Sequence, residues 1–315
     1  MAVVANRRCV VGLCRRLCGI TAMRWFTRFQ HTDRQRVETH FGFEPVSEAE
    51  KKEKVQQVFD NVALKYDIMN DFMTLGIHRL WKDSLLRLMK PYPGTRLLDV
   101  AGGTGDIAFL FLDYIYSQRE IQMRRELKSW QNLSWLEISK SYQETGQDLL
   151  GGSHAVICDI NQKMMAFGEK KARQLGYTKG LSWVVGNAEE LPFFDDNFDI
   201  YTVGFGIRNM TNIKQALQEA YRVLKPGGRF LCLEFSQVNN PLISRIYDLY
   251  SFQVIPVLGE VIVGDWKSYQ YLVESIRLFP AQEEFKAMIE DAGFMKVNYH
   301  NLASGIAAIH SGFKL

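Results

Sequence analysis

The feature that most constrains the fold is a short apolar run that leads directly into a glycine-rich turn. Residues 97–106 read LLDVAGGTGD, so a strand-like run precedes three glycines, and a helical stretch follows from Asp106. Glycine adopts backbone conformations that other residues avoid, and it lets a ligand approach the chain closely. A strand, a glycine turn and a helix in this order are typical of the ligand-binding βα unit of α/β folds.

The rest of the chain repeats this alternation of short apolar runs and helical stretches. We predict strands at residues 95–100, 155–158, 182–185, 199–203 and 229–235, and helices at residues 106–116, 162–175 and 213–224. Two further runs, 296–302 and 305–313, predict a closing hairpin. The alternation is typical of a parallel sheet with crossover helices. A content of 47% hydrophobic and 23% charged residues fits a soluble domain with a full core, so the predicted class is α/β.

The first 32 residues differ in charge from the rest of the chain. They hold six arginines and no acid, which is typical of a mitochondrial transit peptide; a disordered basic tail is the alternative. The rest of the chain holds 32 basic and 35 acidic residues and therefore has no excess of positive charge, so we expect no nucleic acid partner. Outside this leader only Cys158 and Cys232 remain, without the spacing of a disulfide framework or a metal site. We assign residues 1–46 to the transit peptide and a polar linker, and residues 47–315 to one domain.

Three segments of this domain stand apart from the alternating pattern. Ser47 and Glu50 have the spacing of a capping box, which predicts that a helix begins near Ser47. Residues 118–152 form an insertion after the first crossover helix, helical around residues 121–129, which we interpret as a surface elaboration. Residues 239–280 are rich in tyrosine, phenylalanine and isoleucine, and we interpret them as a cap over the ligand site.

The charges at the glycine turn indicate which ligand it binds. Residues 103–108 match the G-x-G-x-x-A pattern of dinucleotide-binding turns, which on its own would favour an NAD-dependent oxidoreductase. Asp106, however, lies at the helix N-terminus, where a carboxylate would repel a pyrophosphate. Asp99 adds a second carboxylate at the end of the strand. Two acids suit a ligand with a cationic ammonium and sulfonium and no phosphate, so we expect the cofactor to be S-adenosylmethionine.

Polar residues also follow the next two predicted strands. An acid at the end of a strand accepts hydrogen bonds from ribose hydroxyls, and Asp159 occupies that position. Asp159 could instead be the N-cap of the helix that begins near Asn161. Asn187 and Ala188 follow the third strand, where they could face an adenine edge or form a loop without a ligand.

Taken together, the ordered motifs resemble a known family. LDVAGGTGD, CDIN, NAEELPF, FDIYTVGFGIRN and RVLKPGGRFLCLEFS resemble class I S-adenosylmethionine-dependent methyltransferases. Over roughly residues 48–315 they are similar to the ubiquinone/menaquinone-biosynthesis C-methyltransferase family. The resemblance implies a Rossmann-like sheet of seven strands with an antiparallel last strand and helical cap segments. It also implies cofactor contacts at Thr104, Asp159, Asn187 and Ala188, supported by Gly103 and Gly105 of the glycine turn.

The resemblance implies C-methylation of a polyprenyl-methoxy-benzoquinol ring in ubiquinone biosynthesis. Alternatives are another small lipid or quinol acceptor, and a non-catalytic subunit on the same fold, because fold alone does not determine the substrate. The resemblance further implies a homodimer, association with other ubiquinone-biosynthesis enzymes in a complex, and peripheral contact with the matrix face of the mitochondrial inner membrane. The aromatic and aliphatic stretch 247–258 suits either a polyprenyl tail or an apolar dimer interface.

Carbon methylation of a quinol is favoured when a ring hydroxyl ionises, and a phenol has a pKa near ~10. Arg208 follows the fourth strand, where it could stabilise a phenolate, and Asn209 could orient the ring; a structural ion pair is the alternative for Arg208. Tyr66 could stack on the quinol and Asp67 could assist deprotonation, or the two could serve as helix core and helix cap. We interpret His78 as structural, because no partner is evident.

Overall fold

The computed structural model describes residues 38–62, 66–129 and 150–315. The predicted transit peptide and most of the predicted insertion lie outside these residues. The strands are β1 (Glu38–Phe41), β2 (Glu44–Ser47), β3 (Arg96–Val100), β4 (His154–Asp159), β5 (Leu181–Val185), β6 (Phe198–Gly204), β7 (Leu224–Phe235), β8 (Met295–Leu302) and β9 (Ala307–Phe313). The helices are α1 (Glu48–Val62), α2 (Tyr66–Thr74), α3 (Ile77–Met89), α4 (Asp106–Ser129), α5 (Gln162–Gln174), α6 (Ile213–Val223), α7 (Pro241–Leu249), α8 (Ile255–Val263), α9 (Trp266–Leu278) and α10 (Gln282–Asp291).

Strands β3 to β9 form one mixed sheet in the order β5-β4-β3-β6-β7-β9-β8. The five strands from β5 to β7 are parallel, whereas β9 is antiparallel to both of its neighbours. The predicted seven-stranded sheet with an antiparallel last strand is therefore confirmed. Because the chain builds outward from β3 through β4 and β5 and then returns to β6, the direction of winding reverses beside β3. A crevice opens at such a reversal, beyond the carboxyl ends of the strands.

Helices cover both faces of the sheet because successive strand residues point to opposite sides. On β3, Leu98 packs with Leu217 of α6 and Phe285 of α10 in one apolar cluster. Leu97 packs in a second cluster with Phe111 of α4. The inner parallel strands β3, β4 and β6 are thus buried on both faces, which explains why they are recognisable as apolar runs in the sequence.

Strand β7 begins five residues before the position predicted for it. The Pro226-Gly227-Gly228 segment, which precedes the predicted strand 229–235, lies inside β7 where the pairing with β6 changes register. Phe198 pairs with Leu224, and Ile200 then pairs with Arg229. The Pro-Gly-Gly segment is therefore an irregularity within the strand rather than a connection before it.

The described part of the predicted linker, residues 38–46, is folded. β1 and β2 form an antiparallel hairpin in which Pro45 pairs with His40, an arrangement that a two-stranded edge tolerates. The ring of Phe41 stacks on that of Tyr271 in α9 with 4.1 Å between centroids, and the Phe43 backbone N–H donates to Glu274 Oε2 at 3.0 Å. The linker prediction was wrong because contacts more than 200 residues away along the chain hold this polar segment in place.

The helix predicted to begin near Ser47 is confirmed as α1. The Ser47 N–H donates to Glu50 Oε2 at 2.9 Å, and the Glu50 N–H donates to Ser47 Oγ at 3.4 Å, as in a capping box. Helix α4, by contrast, extends well past the predicted end at residue 116 and continues to Ser129. The helical stretch predicted inside the insertion is therefore a continuation of the crossover helix.

Residues 239–280 are largely helical and pack beside α1 and α2. Val62 of α1 and Met69 of α2 form a small apolar cluster with Ile255 of α8 and with Tyr269 and Val273 of α9. These elements contribute to the walls of the cavities described below. Of the helices within the described residues, none combines the length and the apolar character that a membrane span requires.

Candidate active site

Two adjoining cavities lie at the carboxyl ends of β3, β4 and β6. The larger cavity has a volume of about 380 Å³ and extends from the glycine turn along α1 to the loops after β4 and β5. The smaller cavity, of about 100 Å³, lies between the glycine turn, α2, α3 and α9. Both are lined by Phe59, Ala101, Gly103, Phe205 and Asn209. Two ligands can therefore lie side by side across the glycine turn.

Gly103 forms part of the wall of both cavities. Its φ of +52° lies in the left-handed region that favours glycine, and its N–H donates to Asp159 Oδ2 at 2.9 Å. Gly105 (φ +84°) also turns the chain, but it lines neither cavity. A Cβ atom at Gly105 would lie 2.8 Å from the indole of Trp183, so this glycine permits packing of the turn on the core. The structure thus places Gly105 away from the ligand face.

Besides Gly103, three of the predicted cofactor residues line the larger cavity: Asp159, Asn187 and Ala188. Asp159 is not the N-cap of α5, because Asn161 Oδ1 accepts the capping hydrogen bond from the Met164 N–H at 2.9 Å. The Asp159 carboxylate accepts one backbone N–H on each oxygen, from Gly103 and Asn161. Burial raises the pKa of this carboxyl group, and these hydrogen bonds oppose the shift. Each oxygen keeps a lone pair for a ligand hydroxyl.

Asp99 lies beneath the glycine turn and lines neither cavity. It is fully buried, and its Oδ1 accepts a hydrogen bond from Thr202 Oγ1 at 2.8 Å. Burial raises the pKa of this carboxyl to about 7, although the hydrogen bond from Thr202 lowers it. A Cβ atom at Gly102 would lie 2.9 Å from Asp99 Oδ2, so this side chain packs against the turn. The expectation that it faces the ligand is not met.

Asp106 lines the smaller cavity, but its charge is compensated. Lys82 Nζ donates to Asp106 Oδ2 at 2.6 Å, and Lys171 Nζ donates to Asp106 Oδ1 at 2.9 Å. Burial favours a higher pKa for this carboxyl, but the two lysines hold the pKa well below its usual range. A pyrophosphate would therefore not meet a net negative charge here, contrary to the expectation from the sequence. Thr104, also in this wall, is buried and donates to Asp106 Oδ1 at 3.4 Å.

Arg208 lies in a 3₁₀ turn (Ile207–Asn209) directly after β6 and lines the smaller cavity. Its Nη1 donates to Glu234 Oε1 and to the Phe205 carbonyl, both at 2.7 Å. The two side chains of this ion pair are only 6% and 1% exposed. The structural ion pair considered for Arg208 is therefore present, and it holds the guanidinium at the cavity wall. Arg208 Nε has no hydrogen-bond partner among the described residues.

Asn209 is shared by both cavities and is oriented by a residue that the sequence did not indicate. The Tyr271 hydroxyl donates to Asn209 Oδ1 at 3.0 Å, which leaves the buried Nδ2 without a partner among the described residues. Tyr271 comes from α9, and burial raises the pKa of its phenol well above the usual range. Glu234 was likewise missed. Tyr271 belongs to no motif named above, and Glu234 lies within the motif RVLKPGGRFLCLEFS, which gave no indication of a partner for Arg208; the cap and the neighbouring strand bring the two residues to the site.

Of the four predicted catalytic residues, Arg208 and Asn209 lie together at the site. Tyr66 and Asp67 belong to the first turn of α2, but their side chains lie outside what the structure describes, so their roles stay predictions. The same helix contributes other residues to the smaller cavity, namely Met69, Asn70, Met73 and Thr74. His78 lines this cavity as well, and its Nδ1 lies 2.8 Å from Thr74 Oγ1. The expectation that His78 lacks a partner was wrong.

The residues of the two cavities fit S-adenosylmethionine. Asp159 presents acceptors to a ribose diol in the larger cavity, and Gly103 places backbone without a side chain in the cavity wall, where a Cβ atom would lie 3.3 Å from the Met164 methyl group. Beyond the turn, Asn209 and Arg208 line the smaller cavity, and each has a buried N–H group without a hydrogen-bond partner among the described residues. Unpaired buried donors are rare in native proteins, and they are consistent with a polar ligand at this place.

Comparison with known proteins identifies the family. The model of the ubiE/COQ5 methyltransferase family matches residues 47–314. Relatives named "2-methoxy-6-polyprenyl-1,4-benzoquinol methylase, mitochondrial" include a Xenopus laevis protein that is 68% identical over 300 residues, or 95% of this chain and 97% of its own length. The Gallus gallus protein is 72% identical, with 88% of this chain and 89% of its own covered. The Homo sapiens protein is 70% identical, with 91% of this chain and 88% of its own length covered.

A solved structure supports the same fold. A methyltransferase of Thermotoga maritima, described as S-adenosylmethionine-dependent and a possible histamine N-methyltransferase, superimposes with a TM-score of 0.51. It is 16% identical and covers 83% of this chain and 100% of its own, so it shows the fold alone. The fold class and the family expected from the sequence motifs are confirmed. The chain is an S-adenosylmethionine-dependent methyltransferase that belongs to the ubiE/COQ5 methyltransferase family.

Proposed function

We propose that this enzyme methylates a ring carbon of a 2-methoxy-6-polyprenyl-1,4-benzoquinol in ubiquinone biosynthesis. The observation that carries the proposal is the 68% identity over 95% of the chain to the Xenopus laevis protein of that name. The two adjoining cavities are consistent with it, because the methyl donor and the acceptor ring must meet in line. No separate observation favours a different lipid or quinol.

The larger cavity is the proposed site of S-adenosylmethionine, which supplies an electrophilic methyl group on a positively charged sulfur when bound. In this proposal Asp159 accepts hydrogen bonds from the ribose hydroxyls, and the loop at Asn187 and Ala188 contacts the adenine. Thr104 and Gly103 then lie beside the methionine part at the glycine turn. These roles are supported by the positions of the five residues, because four of them line the larger cavity and Thr104 lines the adjoining wall of the smaller one.

The acceptor ring lies in the smaller cavity, where Arg208 supplies fixed positive charge. An ionised ring hydroxyl concentrates electron density on the ortho and para carbons, and a nearby cation favours that ionised form. Glu234 holds the guanidinium through a bond of 2.7 Å, so Arg208 acts as an electrostatic stabiliser rather than as a base. Asn209 Nδ2, oriented by Tyr271, donates to a ring oxygen.

The elements above the cavities exclude water from the reacting groups. Helix α1 is held over the larger cavity by hydrogen bonds from Lys51 Nζ to the Met210 carbonyl at 2.9 Å and from Asn161 Nδ2 to Asp60 Oδ1 at 2.9 Å. In a site closed to water, each electrostatic contact to the ionised ring is stronger than it would be in solvent.

The proposal also covers where the enzyme is located and what it associates with. We place it in mitochondria, at the matrix face of the inner membrane, with a transit peptide before the folded unit that begins at Glu38. The residues Leu242, Ile246 and Leu249 are exposed at i, i+4 and i+7 of α7, so they form one apolar stripe. A membrane surface, a second copy of the chain or another ubiquinone-biosynthesis enzyme would each bury this stripe. The proposal includes that the chain forms a homodimer and that it associates with other ubiquinone-biosynthesis enzymes in a complex.

The test uses the purified full chain with S-adenosylmethionine that carries a labelled methyl group. The acceptor is a short-tailed 2-methoxy-6-prenyl-benzoquinol under anaerobic reducing conditions, and the oxidised quinone is the control. Label on the ring carbon with the quinol, and none with the quinone, is the expected result. If the cofactor binds by calorimetry but no quinol is labelled, the proposed acceptor is wrong or the chain is a non-catalytic subunit.

A further inference from the structure

The proposed reaction needs a group that removes the proton from the ring hydroxyl. At pH 7 a phenol with a pKa near ~10 is ionised in only about one molecule in a thousand. Arg208 cannot accept this proton, because its guanidinium is already protonated and is paired with Glu234. A group other than Arg208 must therefore accept the proton; Asp67 is one candidate from the sequence, and the described residues of the cavity offer another.

His78 is the histidine that lines the smaller cavity, together with Arg208, Asn209 and Thr104. It is the second residue of α3 and is buried. The imidazole therefore lies in the same cavity as the group that would stabilise the phenolate, and burial shields it from bulk water. A residue in this wall is close to any ligand that the smaller cavity holds, and a general base must come within hydrogen-bond reach of the proton that it removes.

The hydrogen bonds around His78 determine which ring nitrogen carries the proton. Thr74 Oγ1 donates its single hydrogen to the Asn70 carbonyl at 2.7 Å. The same oxygen lies 2.8 Å from His78 Nδ1 and 3.4 Å from the His78 backbone nitrogen, so it must act as the acceptor toward both. His78 Nδ1 therefore bears the hydrogen. In the neutral imidazole, Nε2 then carries the free lone pair.

The charged groups around His78 keep the imidazole neutral. Burial lowers its pKa, and Lys82 and Arg79 lower it further, whereas Asp71 and Asp106 raise it. Asp71 lies 3.8 Å from Nε2, and both of its oxygens accept hydrogen bonds from Arg79, at 2.9 and 2.6 Å. Lys82 likewise neutralises Asp106. The N-terminal end of α3 also disfavours a positive charge.

We propose that His78 Nε2 is the general base that takes the hydroxyl proton of the quinol, with Thr74 as the residue that sets its tautomer. This inference rests on the proposed function. The O–H bond breaks as N–H forms, and the ring carbon then bonds to the methyl carbon while the methyl–sulfur pair returns to sulfur. The ring carbon next loses its hydrogen as aromaticity is restored. The hydroxyl oxygen regains a proton from His78, so that one proton is released to solvent per turnover.

The kinetic test compares the full-length enzyme with His78→Asn, which keeps a donor toward Thr74 but has no free basic nitrogen. The matched control is His300→Gln on the exposed surface of β8. At pH 7 we expect kcat of the His78 variant to fall by ~10²-fold or more, because a general base contributes ~10²–10⁴ to the rate. Its kcat should then rise about tenfold per pH unit, whereas the wild-type rate is level in this range. Affinity for S-adenosylmethionine, measured by calorimetry, should be unchanged.

A second measurement requires no methyl transfer. A nitro-substituted phenol whose ionised form is coloured is bound to each protein at a pH below the pKa of that phenol. Wild type and His300→Gln should hold a larger ionised fraction than His78→Asn does. Equal ionised fractions, a kcat within threefold of wild type, or a loss that does not depend on pH would each overturn the role of His78. If the wild type fails to methylate the quinol, the proposed function fails, and the phenol measurement still decides the role of the histidine.

Discussion

The buried ion pair between Arg208 and Glu234 makes a quantitative prediction. Both side chains are almost fully buried, and Nη1 and Oε1 are 2.7 Å apart. Glu234 also accepts backbone hydrogen bonds from Arg208 at 3.3 Å and from Phe235 at 2.9 Å. Glu234→Gln keeps the shape of the side chain but leaves the guanidinium buried without a counter-charge. Loss of one partner of such a pair costs about 3–5 kcal/mol of stability.

The assay is reversible denaturant unfolding of wild type, Glu234→Gln, Arg208→Met and the double variant. The Glu234 variant should lose about 3–5 kcal/mol, which corresponds to a Tm lower by roughly 6–20 °C at 2–4 °C per kcal/mol. Since the remaining charge is removed in the double variant, its loss should be well below the sum of the two single losses. A loss below about 1 kcal/mol for Glu234→Gln, or strictly additive losses, would refute the view that the pair is electrostatically coupled.

Three further predictions concern the cofactor wall and the turn. Asp159→Asn should weaken S-adenosylmethionine binding about 10- to 100-fold by calorimetry, because hydrogen bonds to a charged acceptor contribute ~1.5–3 kcal/mol. Asp99 has a pKa raised to about 7 by burial, so its contribution to stability is complete below about pH 4 and is lost as the pH rises through 7. As the pH rises from about 4 to 7, the stability of Asp99→Asn in thermal unfolding should therefore increase relative to that of wild type. Gly105→Ala should destabilise the fold by about 1–3 kcal/mol in denaturant unfolding, because its φ is +84° and a Cβ atom would meet Trp183.

Each of these predictions has a matched control. Asp195→Asn, an exposed change of the same kind, should leave cofactor affinity unaltered, and an equal loss would contradict the ribose role of Asp159. If the stability difference between wild type and Asp99→Asn stays constant from pH 4 to 7, the Asp99 carboxyl does not titrate in this range. Gly176→Ala tests the effect of positive φ alone, since nothing lies near its Cβ position. If both glycine variants lose the same stability, contact with Trp183 contributes nothing.

The sheet could be predicted from the sequence because its inner parallel strands are buried on both faces. Such strands are continuous apolar runs, and β3 to β6 lie within one residue of their predicted bounds at each end. The motif residues Asp159, Asn187, Arg208 and Asn209 follow these strands directly. Since parallel strands end at a common edge, their meeting at one site was also predictable.

Other features depended on residues that are distant along the chain. Asp106 is neutralised by Lys82 and Lys171, which are 24 and 65 positions away. Tyr271 reaches Asn209 from the cap, 62 positions away. No local pattern encodes these contacts, so charge and orientation at the site were misjudged or missed.

The sequence by itself determined the order of the strands and helices, the glycine turn and the family, because each is a local pattern of residue types. Only the tertiary structure decided which carboxylates face a ligand, which are neutralised, and which histidine nitrogen is free. Hydrogen bonds and ion pairs depend on distances of about 3 Å between groups. Packing of separate elements sets those distances, and the spacing of residues along the chain does not.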